Sequence, residues 1–185
     1  EIFKDDLTGI LASSIFALDG LPLVMSRIGM NDGYFLFFIL LALFLFLKDK
    51  YFFSSLAFGL AASSKWSTIW LVPIFVAAHF ALRKKFKINY FWYLLIPPLI
   101  YLATYMPMFL SGHSWGEFIE VQKQMWWYHT NLKAEHSYSS SWWSWPFLGR
   151  PIYLYTSDES VGMVARIYAM GNPIVFWFGL FAIGL

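Results

Sequence analysis

The chain has 185 residues, of which 59% are hydrophobic, 22% aromatic and 13% charged. Soluble domains carry about a quarter charged residues, so this composition argues against a soluble fold. The net charge of +2 is too small to predict a nucleic-acid partner, and the absence of cysteine excludes disulfides and cysteine-ligated metals.

Six apolar segments follow one another along the chain, several of them shorter than the roughly 20 residues that a straight membrane span needs. The run at residues 33–47 has no polar face, so lipid is its natural solvent, because a helix satisfies its own backbone groups. We therefore expect an all-α fold, a polytopic transmembrane helical bundle. The segments are residues 7–25, 34–47, 52–63, 68–82, 90–110 and 174–185.

The basic residues predict the orientation of these segments. If each segment crosses the membrane once, seven lysines and arginines fall on one side, whereas the opposite short loops hold only Arg27 and Lys65. The positive-inside rule then places the seven in the cytoplasm and the loop 111–172 on the outer face of a bacterial plasma membrane. The seven are Lys4, Lys48, Lys50, Arg83, Lys84, Lys85 and Lys87.

The expected organisation has three parts: about five transmembrane helices in residues 1–110, an outer-face loop at 111–172, and the start of a further span at 173–185. Within the loop, Ser114 and Glu117 form a capping-box pattern, and apolar residues recur behind it at helical spacing. This pattern predicts an amphipathic helix at 115–132 that lies among the lipid headgroups. Because the chain starts without Met and stops in an apolar run, we expect further segments on both sides.

Two cations stand in the outer turns. Arg27 lies in MSRIGMND, five residues before Asp32, and Lys65 lies in AASSKWSTIW among small hydroxyl side chains. Each could be a snorkelling side chain, with Arg27 paired to a carboxylate, or each could bind an anionic lipid headgroup. Together they could converge on one phosphate, which prefers several charge-assisted donors. Asp19, before Gly20, is expected to cap or break the first segment.

The outer loop also carries histidines and tryptophans. His129 and His136 are seven residues apart, and a third ligand from Glu135 or His113 would be needed for zinc. No metal-site spacing supports this, so we predict no metal and favour His129 as a hydrogen-bond donor. The run SSSWWSWP, with Ser141, Trp143 and Trp145, fits a membrane anchor or an aromatic platform for a sugar or peptide.

The order of these motifs resembles the protein O-mannosyltransferase family, the dolichyl-phosphate-mannose–protein mannosyltransferases of glycosyltransferase family 39, which have a GT-C membrane fold. Four stretches carry the resemblance: ALDGLPLVMSRIGMNDGYFLFF, FGLAASSKWSTIWLVP, WGEFIEVQKQMWWYHTNLKAEHSYSSSWWSWPFLGRPIYLY and GNPIVFWFGL. Only SGHS separates the third stretch from the preceding span, where eukaryotic members carry a large soluble domain. The resemblance is therefore to prokaryotic members.

The resemblance implies transfer of mannose, with inversion, from a polyprenyl-phosphate carrier to Ser or Thr hydroxyls of proteins on the outer face. Such a transfer needs a general base and stabilisation of the departing phosphate. The family's base lies in an Asp-Glu pair expected upstream of Glu1, so no catalytic residue is assigned here, and Asp32 is not given that role. No cofactor is implied beyond the lipid-linked donor, and the secretion translocon is a possible partner.

The resemblance further implies donor-phosphate binding by Arg27 and Lys65, and a substrate cleft on the outer face. Alternatives are another GT-C transferase with a lipid acceptor, a transporter, or a structural subunit. A transporter is disfavoured because paired repeats and midplane polar residues are not found in the sequence. The expected cleft residues are Asp32, His129, His136, Ser141, Trp143 and Trp145.

Overall fold

A computed structural model describes residues 5–82, 88–133, 138–157, 162 and 164–184, and these are mostly helical. The chain divides into two units, which we call the central unit (Tyr34–Ala134) and the terminal unit (Glu1–Gly33 with Glu135–Leu185). The α-helices are α1 (Asp6–Leu18), α2 (Gly20–Arg27), α3 (Asp32–Leu47), α4 (Tyr51–Ser64), α5 (Val72–Leu82), α6 (Trp92–Thr104), α7 (Met106–Leu110), α8 (Trp115–Asn131) and α9 (Pro173–Gly184). Short 3-10 helices lie at Trp66–Leu71, Ile88–Phe91 and Trp142–Ser144.

Helix length bears on the membrane prediction. Among the residues described above, no single helix is both long and apolar enough to cross a membrane alone. Helices α1 and α2, bent by 55° at their junction, meet the length and composition criteria as a pair. Three shorter helical stretches, Asp32–Leu47, Trp66–Ala81 and Pro173–Gly184, are predominantly apolar. The number of spans and the three-part organisation expected from the sequence stay predictions.

The core of the central unit lies where α3, α4, α5 and α6 meet. Helix α3 buries Ile39, Ala42 and Phe46, which recur at helical spacing on one face. The ring of Phe46 contacts those of Tyr51 and Phe75 edge-on, at centroid distances of 5.6 and 5.5 Å. Edge-to-face pairs of this kind add to the stabilisation that burial alone provides.

Small residues on α4 let it approach α6 closely. A Cβ at Gly59 would lie 3.0 Å from the Cα of Pro97 and 3.0 Å from the Cβ of Ile100. A side chain here would force these neighbours to move, as in membrane proteins where small residues bring helix backbones together. The hydroxyl of Ser54 donates to the carbonyl of Ala42 (2.5 Å) and also contacts the hydroxyl of Tyr93, so one polar side chain links α3, α4 and α6.

In the terminal unit, Asp19 both ends α1 and begins α2, which confirms the capping role predicted from its position before Gly20. Its buried carboxylate accepts hydrogen bonds from the backbone N–H groups of Leu21 (2.9 Å) and Asn172 (2.7 Å). A Cβ at Gly20 would lie 2.9 Å from the carbonyl oxygen of Met170. The start of α2 and the segment before α9 therefore pack backbone to backbone.

The terminal unit also contains a short β-hairpin, which the sequence patterns did not predict; the described residues are otherwise mostly helical, as expected. Strand β1 (Ile152–Thr156) pairs antiparallel with β2 (Arg166–Ala169). Tyr153 pairs with Tyr168, and the register shifts between Tyr153 and Tyr155. The sequences IYLYT and RIYA are rich in β-branched and aromatic residues, which favour strands, but they are too short to stand out among the apolar segments.

Candidate functional site

The Lys65 turn joins α4 to the 3-10 helix Trp66–Leu71. Lys65 has an extended backbone (φ −157°, ψ 127°) and is exposed, whereas Thr68 is fully buried beneath it. The carbonyl of Lys65 accepts hydrogen bonds from the backbone N–H (3.1 Å) and the hydroxyl (2.8 Å) of Thr68. One buried threonine thus stabilises the turn, while Lys65 is on the surface.

The hydroxyl groups around Lys65 mostly face the protein. Ser63 donates to the carbonyl of Gly59 and Ser64 to that of Leu60, each at 2.9 Å. Serines within a helix commonly bond back in this way to the carbonyl four residues earlier. Both serine hydroxyls therefore donate within α4, and the Thr68 hydroxyl donates to the carbonyl of Lys65.

A chain of hydrogen bonds connects this turn to α8. The indole N–H of Trp66 donates to the hydroxyl of Tyr101 (2.8 Å), which in turn donates to Oε1 of Gln122 (2.6 Å). The imidazole of His129 lies 6.4 Å from the Trp66 ring, centroid to centroid. The Lys65 turn, which carries a cation and an indole, is therefore brought together with the imidazole of α8, although the two are distant in sequence.

Helix α8 begins with the predicted capping box. The hydroxyl of Ser114 accepts from the N–H of Glu117 (3.3 Å), and the carboxylate of Glu117 accepts from the N–H of Ser114 (2.6 Å). His113 lies 3.2 Å from the same carboxylate. These bonds, chiefly the one from the Ser114 backbone, lower the pKa of Glu117 to about 2.

The apolar face of α8 is partly covered by protein. Phe118 is buried with its ring 4.9 Å from that of Tyr105, whose hydroxyl also donates to the sulfur of Met125 (3.8 Å). Trp126 and Trp127, further along the helix, are exposed. Trp115, Ile119 and Leu132 are exposed as well, and the placement of this helix among the headgroups stays a prediction.

Gln122 has one polar atom without a partner. Its Nε2 is fully buried, and no hydrogen-bond acceptor for it is found in the part of the chain that the structure describes. An unpaired buried donor is costly, which makes this amide sensitive to changes around it. The position of Gln122 between Tyr101 and the rest of α8 is consistent with an orienting role for this side chain.

Arg27 and Asp32 lie on either side of a tight turn in the terminal unit. Arg27 is the last residue of α2 and is exposed; a cation at a helix C-terminus interacts favourably with the helix dipole. The turn contains Gly29 at φ +70°, a backbone conformation that glycine adopts readily, and Asp32 begins α3. The convergence of Arg27 and Lys65 on one phosphate stays a prediction.

The serine–tryptophan turn, residues 138–150, forms a second polar surface. The carbonyl of Ser141 accepts from the backbone N–H (2.9 Å) and the hydroxyl (2.7 Å) of Ser144, and the indole of Trp145 donates to the hydroxyl of Ser140 (3.1 Å). Trp143 and Trp145 are exposed. The predicted residues Ser141, Trp143 and Trp145 thus lie in one short loop.

Arg150 belongs to this turn, although the sequence analysis did not select it. Its Nη1 donates to the carbonyl of Ser139 (3.0 Å), and its guanidinium lies 5.5 Å from the centroid of the Tyr138 ring. A small cavity of about 240 Å³ opens beside it. The lining residues are Ser139, Ser140, Ser141, Trp143, Ser144, Gly149 and Arg150. An arginine within a tryptophan-rich segment was the available sequence signal.

The histidines do not assemble a metal site in the described part of the chain. His129 faces Trp66, His113 faces Glu117, and His136 lies outside the described residues. Across residues 5–82, 88–133, 138–157, 162 and 164–184, no group of three or more His, Asp or Glu is placed to hold a metal ion.

The C-terminal part of the chain matches a known protein family. Residues 114–185 match the family described as the C-terminal four TMM region of protein-O-mannosyltransferase. No solved structure matches the chain.

Three relatives illustrate the extent of the similarity. The polyprenol-phosphate-mannose–protein mannosyltransferase of Mycobacterium tuberculosis H37Rv is 23% identical over 96% of this chain and 49% of its own length. The protein of the same name from Corynebacterium glutamicum is also 23% identical, over 92% of this chain and 48% of its own length. Dolichyl-phosphate-mannose–protein mannosyltransferase 1 of Saccharomyces cerevisiae is 39% identical over 34% of this chain and 7% of its own length.

This chain spans about half the length of the mycobacterial and corynebacterial relatives. The stretches that carry the resemblance in the sequence include Arg27, Lys65, His129 and the serine–tryptophan turn. The resemblance is thus confirmed: along nearly its whole length the chain is similar to protein O-mannosyltransferases.

Proposed function

We propose that the protein to which this chain belongs transfers mannose from a polyprenyl-phosphate carrier to Ser or Thr hydroxyls of proteins. The reaction takes place on the outer face of a multi-pass membrane protein and inverts the anomeric carbon. The names of the mycobacterial and corynebacterial relatives support this function and fit neither a lipid acceptor nor transport.

The observation that carries the proposal is the connection between the Lys65 turn and α8. The bonds from Trp66 through Tyr101 to Gln122 hold an exposed lysine close to the helix that bears His129. Such a surface suits an anionic leaving group, since a cation placed in advance stabilises charge without reorganisation in the transition state.

In this function the residues of the chain bind and orient the substrates. Lys65 and Arg27 stabilise the departing phosphate, which is already an anion and is neutralised by cationic side chains. His129 donates a hydrogen bond at the edge of the donor cleft, and Ser141 and Trp145 shape its polar wall. Asp32 contributes to the cleft, and the general base is assigned to no residue of this chain.

The transfer is tested with membranes that contain the full-length protein, labelled polyprenyl-phosphate mannose and a Ser/Thr peptide. Label should appear in the peptide, and Lys65→Ala should lower kcat/KM about 100-fold, as removal of a transition-state donor does. Lys123→Ala is the control for the loss of an exposed lysine, because this residue belongs to α8 and not to the turn.

The outcomes separate the candidate functions. Label found only in lipid would contradict a protein acceptor and favour the lipid-acceptor alternative. Labelled sugar that crosses the membrane without being transferred would favour transport. Equal activity of Lys65→Ala and Lys123→Ala would remove Lys65 from the site.

A further inference from the structure

The serine–tryptophan turn is ordered by its own hydrogen bonds before any ligand arrives. Arg150 ties the end of the turn to its start through the carbonyl of Ser139. The backbone N–H groups of Phe147 and Gly149 both donate to the carbonyl of Ser144 (3.2 Å each). A binding surface that is ordered in advance loses less entropy on binding than one that must fold around its ligand.

The cavity beside Arg150 is small and polar. Its volume of about 240 Å³ is below the roughly 300–1,000 Å³ typical of pockets for drug-sized ligands, so it suits a single small ring. Four serines and the guanidinium provide polar groups, and the Trp143 ring provides an apolar surface. A sugar ring carries hydroxyl groups around its edge and C–H groups on its faces, which match these two kinds of surface.

Several polar groups in this cavity are available to a ligand. Among the described residues, the hydroxyls of Ser139 and Ser141 have no hydrogen-bond partner. Arg150 has five N–H donors and uses Nη1 for the carbonyl of Ser139. Serine hydroxyls both donate and accept hydrogen bonds, whereas an ionised phosphate only accepts them. The mixture of donors and acceptors therefore favours a sugar over a bare phosphate.

A second cavity adjoins the first and shares Ser140 and Arg150 with it. It measures about 480 Å³ and is lined mostly by apolar side chains: Leu21, Trp145, Leu148, Ile152, Met170 and Phe176. The polar cavity is therefore bordered on one side by an apolar surface.

We propose that the serine–tryptophan turn binds the sugar ring of the lipid-linked donor, with Ser139, Ser141 and Arg150 as the residues that recognise its hydroxyl groups. The inference rests on the proposed function for the identity of the donor, and it adds a sugar-recognition site to the phosphate-binding cations.

Equilibrium binding to the full-length protein in lipid nanodiscs tests this inference without catalysis. The two probes are a polyprenyl-phosphate mannose and the same polyprenyl phosphate without sugar. Replacing both Ser139 and Ser141 with alanine should weaken binding of the sugar-bearing probe about tenfold and leave the sugar-free probe unchanged, because two hydrogen bonds to the sugar are lost. Ser13→Ala, an exposed serine in α1 that bonds within its own helix, is the matched control.

Arg150→Gln is the second variant, and it should also weaken the sugar-bearing probe selectively. An equal loss for both probes in the serine and arginine variants would overturn the inference, because it indicates a phosphate site or a disturbed turn. Unchanged binding of both probes would also overturn it. If selective losses occur but the membranes transfer no mannose to peptide, the sugar site stands and the proposed reaction is wrong.

Discussion

The Lys65 turn and the serine–tryptophan turn both carry a cationic side chain and tryptophan, but different contacts hold the two turns in place. The Lys65 turn is stabilised by buried Thr68 and by the hydrogen bonds that run from Trp66 through Tyr101 to α8. The serine–tryptophan turn is exposed and held by local backbone bonds and Arg150. We infer that substitutions beneath the first turn change stability and binding together, whereas those in the second change binding with little effect on stability.

The largest effect is expected from inserting a larger side chain at the close contact between α4 and α6. Gly59→Val places a side chain where even a Cβ would lie 3.0 Å from Pro97 and Ile100. Overpacking of this kind should cost about 3 kcal/mol, measured as a lower thermal inactivation temperature in detergent. Gly9→Ala is the control, because a Cβ there meets no atom within 4 Å, and it should leave stability unchanged or slightly higher.

A smaller loss is expected from Tyr101→Phe, which removes only the hydroxyl that joins Trp66 to Gln122. The indole N–H and the amide oxygen then lack their partner, which should cost about 2 kcal/mol of unfolding free energy and lower donor binding as well. Tyr155→Phe, at an exposed tyrosine of the hairpin, should change neither quantity. Stability equal to that of the unsubstituted protein in Tyr101→Phe would show that the two turns do not differ in their support.

Arg150→Gln provides the contrast in the second turn. The guanidinium is exposed, and its contacts with Tyr138 and Ser139 should contribute at most about 1 kcal/mol to folding. We therefore expect a small shift in the thermal inactivation temperature together with weaker binding of the sugar-bearing donor. A loss of stability as large as that of Tyr101→Phe would remove the distinction between the turns.

The smallest effect concerns pH at the start of α8. Because the pKa of Glu117 falls from its ordinary 4.5 to about 2 in the folded protein, its stabilising contribution is complete above about pH 4.5. It is lost as pH falls toward 2, since the protonated carboxyl no longer accepts the Ser114 bonds as an anion. Unfolding measured across this range should show a pH-dependent component that Glu117→Gln lacks, because glutamine keeps the capping pattern but does not titrate.

Local sequence patterns predicted the elements whose cause is local. The capping box of α8 and the Asp19 break follow from residues a few positions apart. Contacts between distant residues could not be predicted, because periodicity does not show them: Asp19 accepts from Asn172, and Trp66 reaches Gln122 through Tyr101. The hairpin was missed because its strands are short.

The sequence predicted which residue types form the candidate site better than it predicted their hydrogen-bond partners. Lys65 and the serine–tryptophan turn stood out because polar groups are rare in this chain. Arg150 did not, because membrane orientation depends on charges in the short loops between segments, and Arg150 lies in the long loop 111–172. Ser63 and Ser64 are neighbours of Lys65 in sequence, but their hydroxyls donate to carbonyls of their own helix, which the residue type alone does not show.

The proposed function requires that both turns lie in the same compartment. The chain has no cysteine, so Lys65→Cys and Trp143→Cys each introduce a single thiol into it. A membrane-impermeant maleimide applied to intact cells should label both, whereas Lys50→Cys should react only after permeabilisation. Labelling of Lys65→Cys and Trp143→Cys from opposite sides of the membrane would contradict a shared outer-face site.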